Sequence, residues 1–152
     1  MSIGRVTTVA VVVLALWSVA GRVEAGCTVS TAGVAFGTYN VFSATALAST
    51  GTISLHCGAA DKNITIHLSK GTSSTYALRV LTGPAGDVIN YNLFRDAACT
   101  QIWGDSTGGT SVYSNSRPGK NVINLTVYGR IAPGQDVRAG MYSDSVVTEI
   151  NF

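Results

Sequence analysis

The 152-residue chain is 46% apolar and only 12% charged, with a formal net charge of +2. That length suits one globular domain with a real core, and the lack of a basic cluster leaves no electrostatic footprint for nucleic acid. Seventeen glycines beside abundant Thr, Ser and Val exclude a disordered polar tail and point to an all-β extracellular domain.

Residues 1–25 read as a secretory signal peptide. Arg5 supplies the positive start, Val6 to Ala20 is an apolar run, and Val23-Glu24-Ala25 places small residues at a cleavage position after Ala25. The run is short for a membrane span, which needs about 20 apolar residues, so no anchor is expected in the mature form. Cys27 invites a lipoprotein reading, but that site wants an apolar residue where Glu24 stands. The mature domain is therefore placed at residues 26–152.

Period-2 alternation of apolar residues, the mark of half-buried strands, recurs along that domain. Cys27 opens the first strand-like segment. In Thr52–Cys57 the apolar set is Ile53, Leu55 and Cys57; in Ile64–Leu68 it is Ile64, Ile66 and Leu68. Ile89, Tyr91 and Leu93 alternate with Asn90 and Asn92, and Ile123, Leu125 and Val127 with Asn124 and Thr126. The C-terminal run puts Val146, Thr148, Ile150 and Phe152 on one face. Turn residues separate these runs, among them Lys70-Gly71, Gly83-Pro84, Gly108-Gly109 and Pro133-Gly134. Half-buried strands with frequent turns describe an antiparallel β-sandwich.

An exported chain with three cysteines, Cys27, Cys57 and Cys99, is expected to carry a disulfide. Arithmetic permits three single bridges. Antiparallel pairing of the first two strand segments would bring Cys27 and Cys57 together. Cys99 would then be a buried inert thiol or an intermolecular crosslink.

Catalytic and metal motifs are sparse. No G-x-S-x-G elbow occurs, and the cysteine spacing matches no zinc pattern. His56 and His67 lie on the polar phase of neighbouring strand segments, but two ligands make a poor metal site. Asp96 and Asp105 flank Trp103, as a glycosidase's paired carboxylates could, although Asp in such loops is more often a turn residue. The residues support neither an enzyme nor a cofactor.

Several segments in order resemble the spore coat protein U family, which includes subunits of archaic chaperone–usher pili. They are Cys27-Thr-Val-Ser30, Val34-Ala-Phe36-Gly37-Thr-Tyr39, Gly51-Thr-Ile53-Ser-Leu55-His-Cys57 and Leu68-Ser-Lys-Gly71. Arg79, Tyr91-Asn92-Leu93-Phe94-Arg95-Asp96, Ile102-Trp103-Gly104-Asp105 and Gly140-Met-Tyr142-Ser-Asp144-Ser-Val146 follow, before Ile150-Asn-Phe152. The resemblance implies a secreted, immunoglobulin-like sandwich that lacks its last strand, and its N-terminal disulfide maps onto Cys27 and Cys57. It also implies partners: a periplasmic chaperone and neighbouring pilus subunits, engaged by strand exchange, and an outer-membrane usher.

A chain that stops within an alternating strand is expected to expose an unpaired edge, open to β-augmentation. Val146, Thr148, Ile150 and Phe152 form the expected chaperone- and subunit-contact strand, with an ordinary core strand as the alternative. Only Gly26 precedes Cys27 after the expected cleavage, too little for a donor strand. This favours a tip or terminating subunit, or a coat protein. The alternative function is a surface-binding adhesin, using Trp103 and Tyr113 to hold a glycan or abiotic surface. A secreted hydrolase is the third reading.

Overall fold

The structure, a computed structural model, describes residues 9–12 and 26–151. The expected cleavage site at Ala25 and the terminal Phe152 lie outside the described residues. Nine strands are described: β1 (Val9–Val12), β2 (Thr28–Ala32), β3 (Leu47–His56), β4 (Ile64–Leu68), β5 (Arg79–Thr82), β6 (Val88–Phe94), β7 (Tyr113–Asn115), β8 (Ile123–Ile131) and β9 (Asp144–Asn151). The one helical element among the described residues is a 3-10 turn at Pro84–Gly86.

The strands form two sheets, one in the order β2-β3-β8-β6-β5 and the other in the order β1-β9-β4-β7. All pairings are antiparallel except β1 with β9. The arrangement β2-β3-β8-β6 against β4-β9 follows the A-B-E-D and C-F order of a constant-type immunoglobulin sandwich. The all-β, immunoglobulin-like expectation holds.

Alternation sets the register, because a one-residue slip would turn every apolar side chain outward. Ile53, Leu55, Ile89, Tyr91, Leu93, Val127 and Ile131 point inward from one sheet, and Ile64, Ile66, Leu68 and Val146 meet them from the other. Ile123 and Leu125, at the start of β8, are half-buried against this core. The segment before β3 crosses its sheet, and Val34 and Phe36 pack where a Cβ on Gly129 would lie 2.6 Å and 2.7 Å from them. A side chain at 129 would force the Val34 and Phe36 side chains to shift.

The expected disulfide is present, joining Cys27 to Cys57 just beyond the Thr28–His56 pair of the β2–β3 ladder. Beside it the buried Asp61 carboxylate accepts the Gly58 N–H at 2.6 Å, closing the turn that follows β3. Cys99 is a free, half-buried thiol. The two histidines stand on different sheets, His56 exposed on β3 and His67 half-buried on β4.

Candidate functional site

The C-terminal strand is built from the expected alternation. Asp144, Val146 and Thr148 are buried and Ile150 is half-buried, while Ser145, Val147 and Glu149 face outward. Along one side β9 pairs with β4, from Leu68↔Thr148 to Thr65↔Asn151. Ser69 prolongs that contact, donating its N–H to the Val147 carbonyl and accepting the Val147 N–H on its hydroxyl, both at 2.9 Å.

The other side of β9 holds a parallel strand, β1, in the register Val9↔Asp144 to Val12↔Val147. β1 also lies against β2, the outermost strand of the facing sheet, so it closes the gap between the two sheets on that side. In a constant-type sandwich this place beside F belongs to strand G. Here it is filled from the N-terminal segment, where the sequence suggested only an export signal.

A buried polar network fixes where β9 begins. The Asp144 carboxylate is 3% exposed and accepts four hydrogen bonds. They come from the Thr72 N–H at 2.9 Å, the Thr72 hydroxyl at 3.0 Å, the Ser145 N–H at 2.8 Å and the Tyr91 hydroxyl at 2.7 Å. Gly71 makes the approach feasible: its φ is +66°, and a Cβ there would collide with the Asp144 carboxylate. Burial, reinforced by the Asp144 charge, pushes the Tyr91 phenol well above its ordinary range, so it remains a donor.

Beside this lies Arg79, with no exposed surface. Its guanidinium donates twice to the Ser69 carbonyl (3.0 and 2.8 Å), once to the Trp103 carbonyl (2.7 Å) and once to Asn92 Oδ1 (2.6 Å). Asn92 passes the connection on through its amide to the Tyr76 and Ala77 carbonyls. Burial lowers the Arg79 pKa, while Tyr91, Tyr76 and Asp144 pull it back up. Charged side chains are almost never fully buried without partners, and here most of the partners are backbone carbonyls.

Apolar periodicity did not reveal this network because Arg79 sits in a four-residue strand among turn residues. Its phase with the buried Leu81 was the available signal.

Two expected surface aromatics stand elsewhere. Trp103 is only 1% exposed, and its indole N–H donates to the Ile66 carbonyl at 3.0 Å, so it is a core residue and not a surface contact. Burying so large an apolar ring outweighs the polar Gly and Asp neighbours that suggested an exposed loop. Tyr113 is half-buried on β7, packs against the core and accepts the Asn115 amide. Neither is a free loop aromatic.

Asp96 and Asp105 are each tied to their own loops. Asp96 accepts the Gln101 N–H and the Thr100 hydroxyl and N–H, and Asp105 accepts the Thr107 hydroxyl and N–H. These bonds hold both carboxyls below the usual range, as befits turn residues that stay ionised.

One buried polar atom on the inward face of β9 stands alone. Among the described residues, Thr148 Oγ1 is the sole buried side-chain oxygen or nitrogen without a hydrogen-bond partner. It lies just past Val147, where the described β1 pairing stops. Thr148→Val keeps the shape and removes the orphan hydroxyl, so the isolated chain should gain about 1–2 kcal/mol, read as a rise in Tm of several degrees. No gain would show that water or a neighbouring group satisfies the hydroxyl in solution.

Comparison with known proteins agrees with this architecture. Over 119 residues the chain is 29% identical to Protein U of Myxococcus xanthus, a match covering 77% of this chain and 60% of that protein. Its fold is similar to a chain in the crystal structure of the CsuC-CsuE chaperone-tip adhesion subunit pre-assembly complex, from archaic chaperone-usher Csu pili of Acinetobacter baumannii. That match has a TM-score of 0.57 at 19% identity and covers 86% of this chain but 40% of the other. The chain thus spans less than two thirds of each protein's length. Residues 13–149 match the Spore Coat Protein U domain family, and the chain belongs to that family.

Proposed function

We propose that this chain is an exported, non-catalytic structural subunit of a surface assembly, an archaic chaperone–usher pilus or a spore coat, whose sandwich is completed by a donated strand. The observation that carries the reading is the edge of β9. On the side away from β4, the strand beside it comes from the N-terminal segment and not from residues 26–151. Export with cleavage after Ala25 would remove β1 and leave the Asp144–Val147 side of β9 that faces away from β4 without a neighbouring strand. An unpaired edge above an apolar face is a template for another chain's strand.

A periplasmic chaperone would supply that strand first and a neighbouring subunit would replace it, with an outer-membrane usher as a further partner. Val146, Thr148 and Ile150 would form the floor beneath it. With one residue ahead of Cys27, the mature chain would accept a strand without donating one, which suits a tip or terminating position. Trp103 and Tyr113 lend no support to the adhesin alternative, and Asp96 and Asp105, spent on their own loops, lend none to a hydrolase.

The test is to export the full chain so that the leader is processed, then follow the size and thermal unfolding of the mature product. Expected are aggregation when it is alone and a monodisperse, cooperatively melting complex when a strand-donating periplasmic chaperone is co-expressed. A mature product that is monomeric and melts cooperatively by itself would show a self-complete sandwich.

A further inference from the structure

We infer that residues 9–12 are an internal donor strand, which occupies the acceptor edge of β9 until the leader is cut away and so keeps the uncleaved chain from taking a strand from a partner. This rests on the strand-accepting reading above and adds to it the identity of the first occupant.

Three observations converge. The first is composition: seven of the eight residues from Val6 to Val13 are β-branched, the exception being Ala10. Export requires only an apolar core in a leader, whereas β-branching favours extended backbone over helix. The second is register: Val9–Val12 pairs residue for residue with Asp144–Val147 and lies beside β2, the outermost strand of the other sheet, on the side where β9 would be outermost without it. The third is extent. The described pairing covers four residues of β9, while β9 runs for eight and has the orphan Thr148 hydroxyl just beyond the covered part. A longer strand from a partner could pair along more of β9 and offer Thr148 a hydrogen bond. The leader strand is thus a first occupant that a partner's strand displaces once the tether is severed.

The tether decides the balance. A covalently linked strand acts at an effective concentration of about millimolar. A free peptide at micromolar concentration therefore competes poorly with the attached leader and freely after cleavage.

The experiment uses the full chain, refolded oxidised without signal peptidase, in a Cys99→Ser background and with a specific protease site introduced in place of residues 20–25. Two labelled probes are added before and after the cut: a peptide of residues 6–16 and an eight-residue alternating Val-Thr peptide, both with solubilising lysines. Apparent affinity for either is expected to rise at least tenfold on cutting. In the uncut chain, the pair Val12→Cys with Val147→Cys should crosslink in high yield, and the offset pair Val12→Cys with Ser145→Cys should not. Equal binding before and after the cut, or equal crosslinking of both pairs, overturns the inference while leaving the acceptor edge intact. Binding of the Val-Thr peptide but not the 6–16 peptide does the same. Failure of both peptides to bind the cut chain removes the strand-accepting reading as well.

Discussion

Replacing Arg79 with methionine is expected to lower the stability of the sandwich by about 3–5 kcal/mol, a large share of a typical domain's total. Exchanging a buried ion for an apolar side chain is sometimes harmless, when the partners can be exchanged too. Here they cannot be, because two of the three acceptors are main-chain carbonyls, those of Ser69 and Trp103. Methionine would leave both buried and unsatisfied, and would free Asn92 Oδ1 as well. Arg79→Lys should fall between, keeping the charge but losing the planar fork that reaches three acceptors at once. Urea unfolding of the three proteins tests this order. A methionine variant within about 1 kcal/mol of the parent would mean that water takes over the guanidinium's bonds.

The second large effect is expected at the disulfide. Cys27 and Cys57 are separated by 30 positions, and releasing a loop of that size should cost about 3–4 kcal/mol in the chain-entropy view. The double replacement Cys27→Ser, Cys57→Ser should therefore shift the urea midpoint down by about 1–3 M. The cost falls on β2, an outermost strand paired with β3 over five residues. A change below about 1 kcal/mol would indicate that β2 and β3 stay associated in the unfolded chain even without the bridge.

What could be read from the chain follows from the period of its strands. β4 and β6 repeat apolar side chains every second residue with polar ones between, so both their existence and their inward faces were legible. β9 was legible for the same reason, with Val146 and Thr148 buried as expected. β5 and β7 are four and three residues long, too short to show a period, and β5 carries its buried arginine where a hydrophobe would have announced a strand. Trp103 misled because its neighbours are Gly104 and Asp105, a loop composition that says nothing about which way the ring turns. The strand at Val9–Val12 was hidden by its other reading: an apolar run near the N-terminus satisfies the export signature whatever its β-propensity. The polar network around Asp144 could not be read at all, since it joins residues from distant parts of the chain that only the fold brings together.

That network also determines how β9 behaves when its neighbour is absent. Asp144 is fastened to Tyr91 on the opposite sheet and to Thr72 in the turn after β4, and none of these bonds involves β1. The first residue of the strand is thus riveted to the body of the domain by side chains, independently of whatever lies along its far side. On the proposed reading, an arriving strand would meet a seat already in position at that end and would not carry the cost of assembling it.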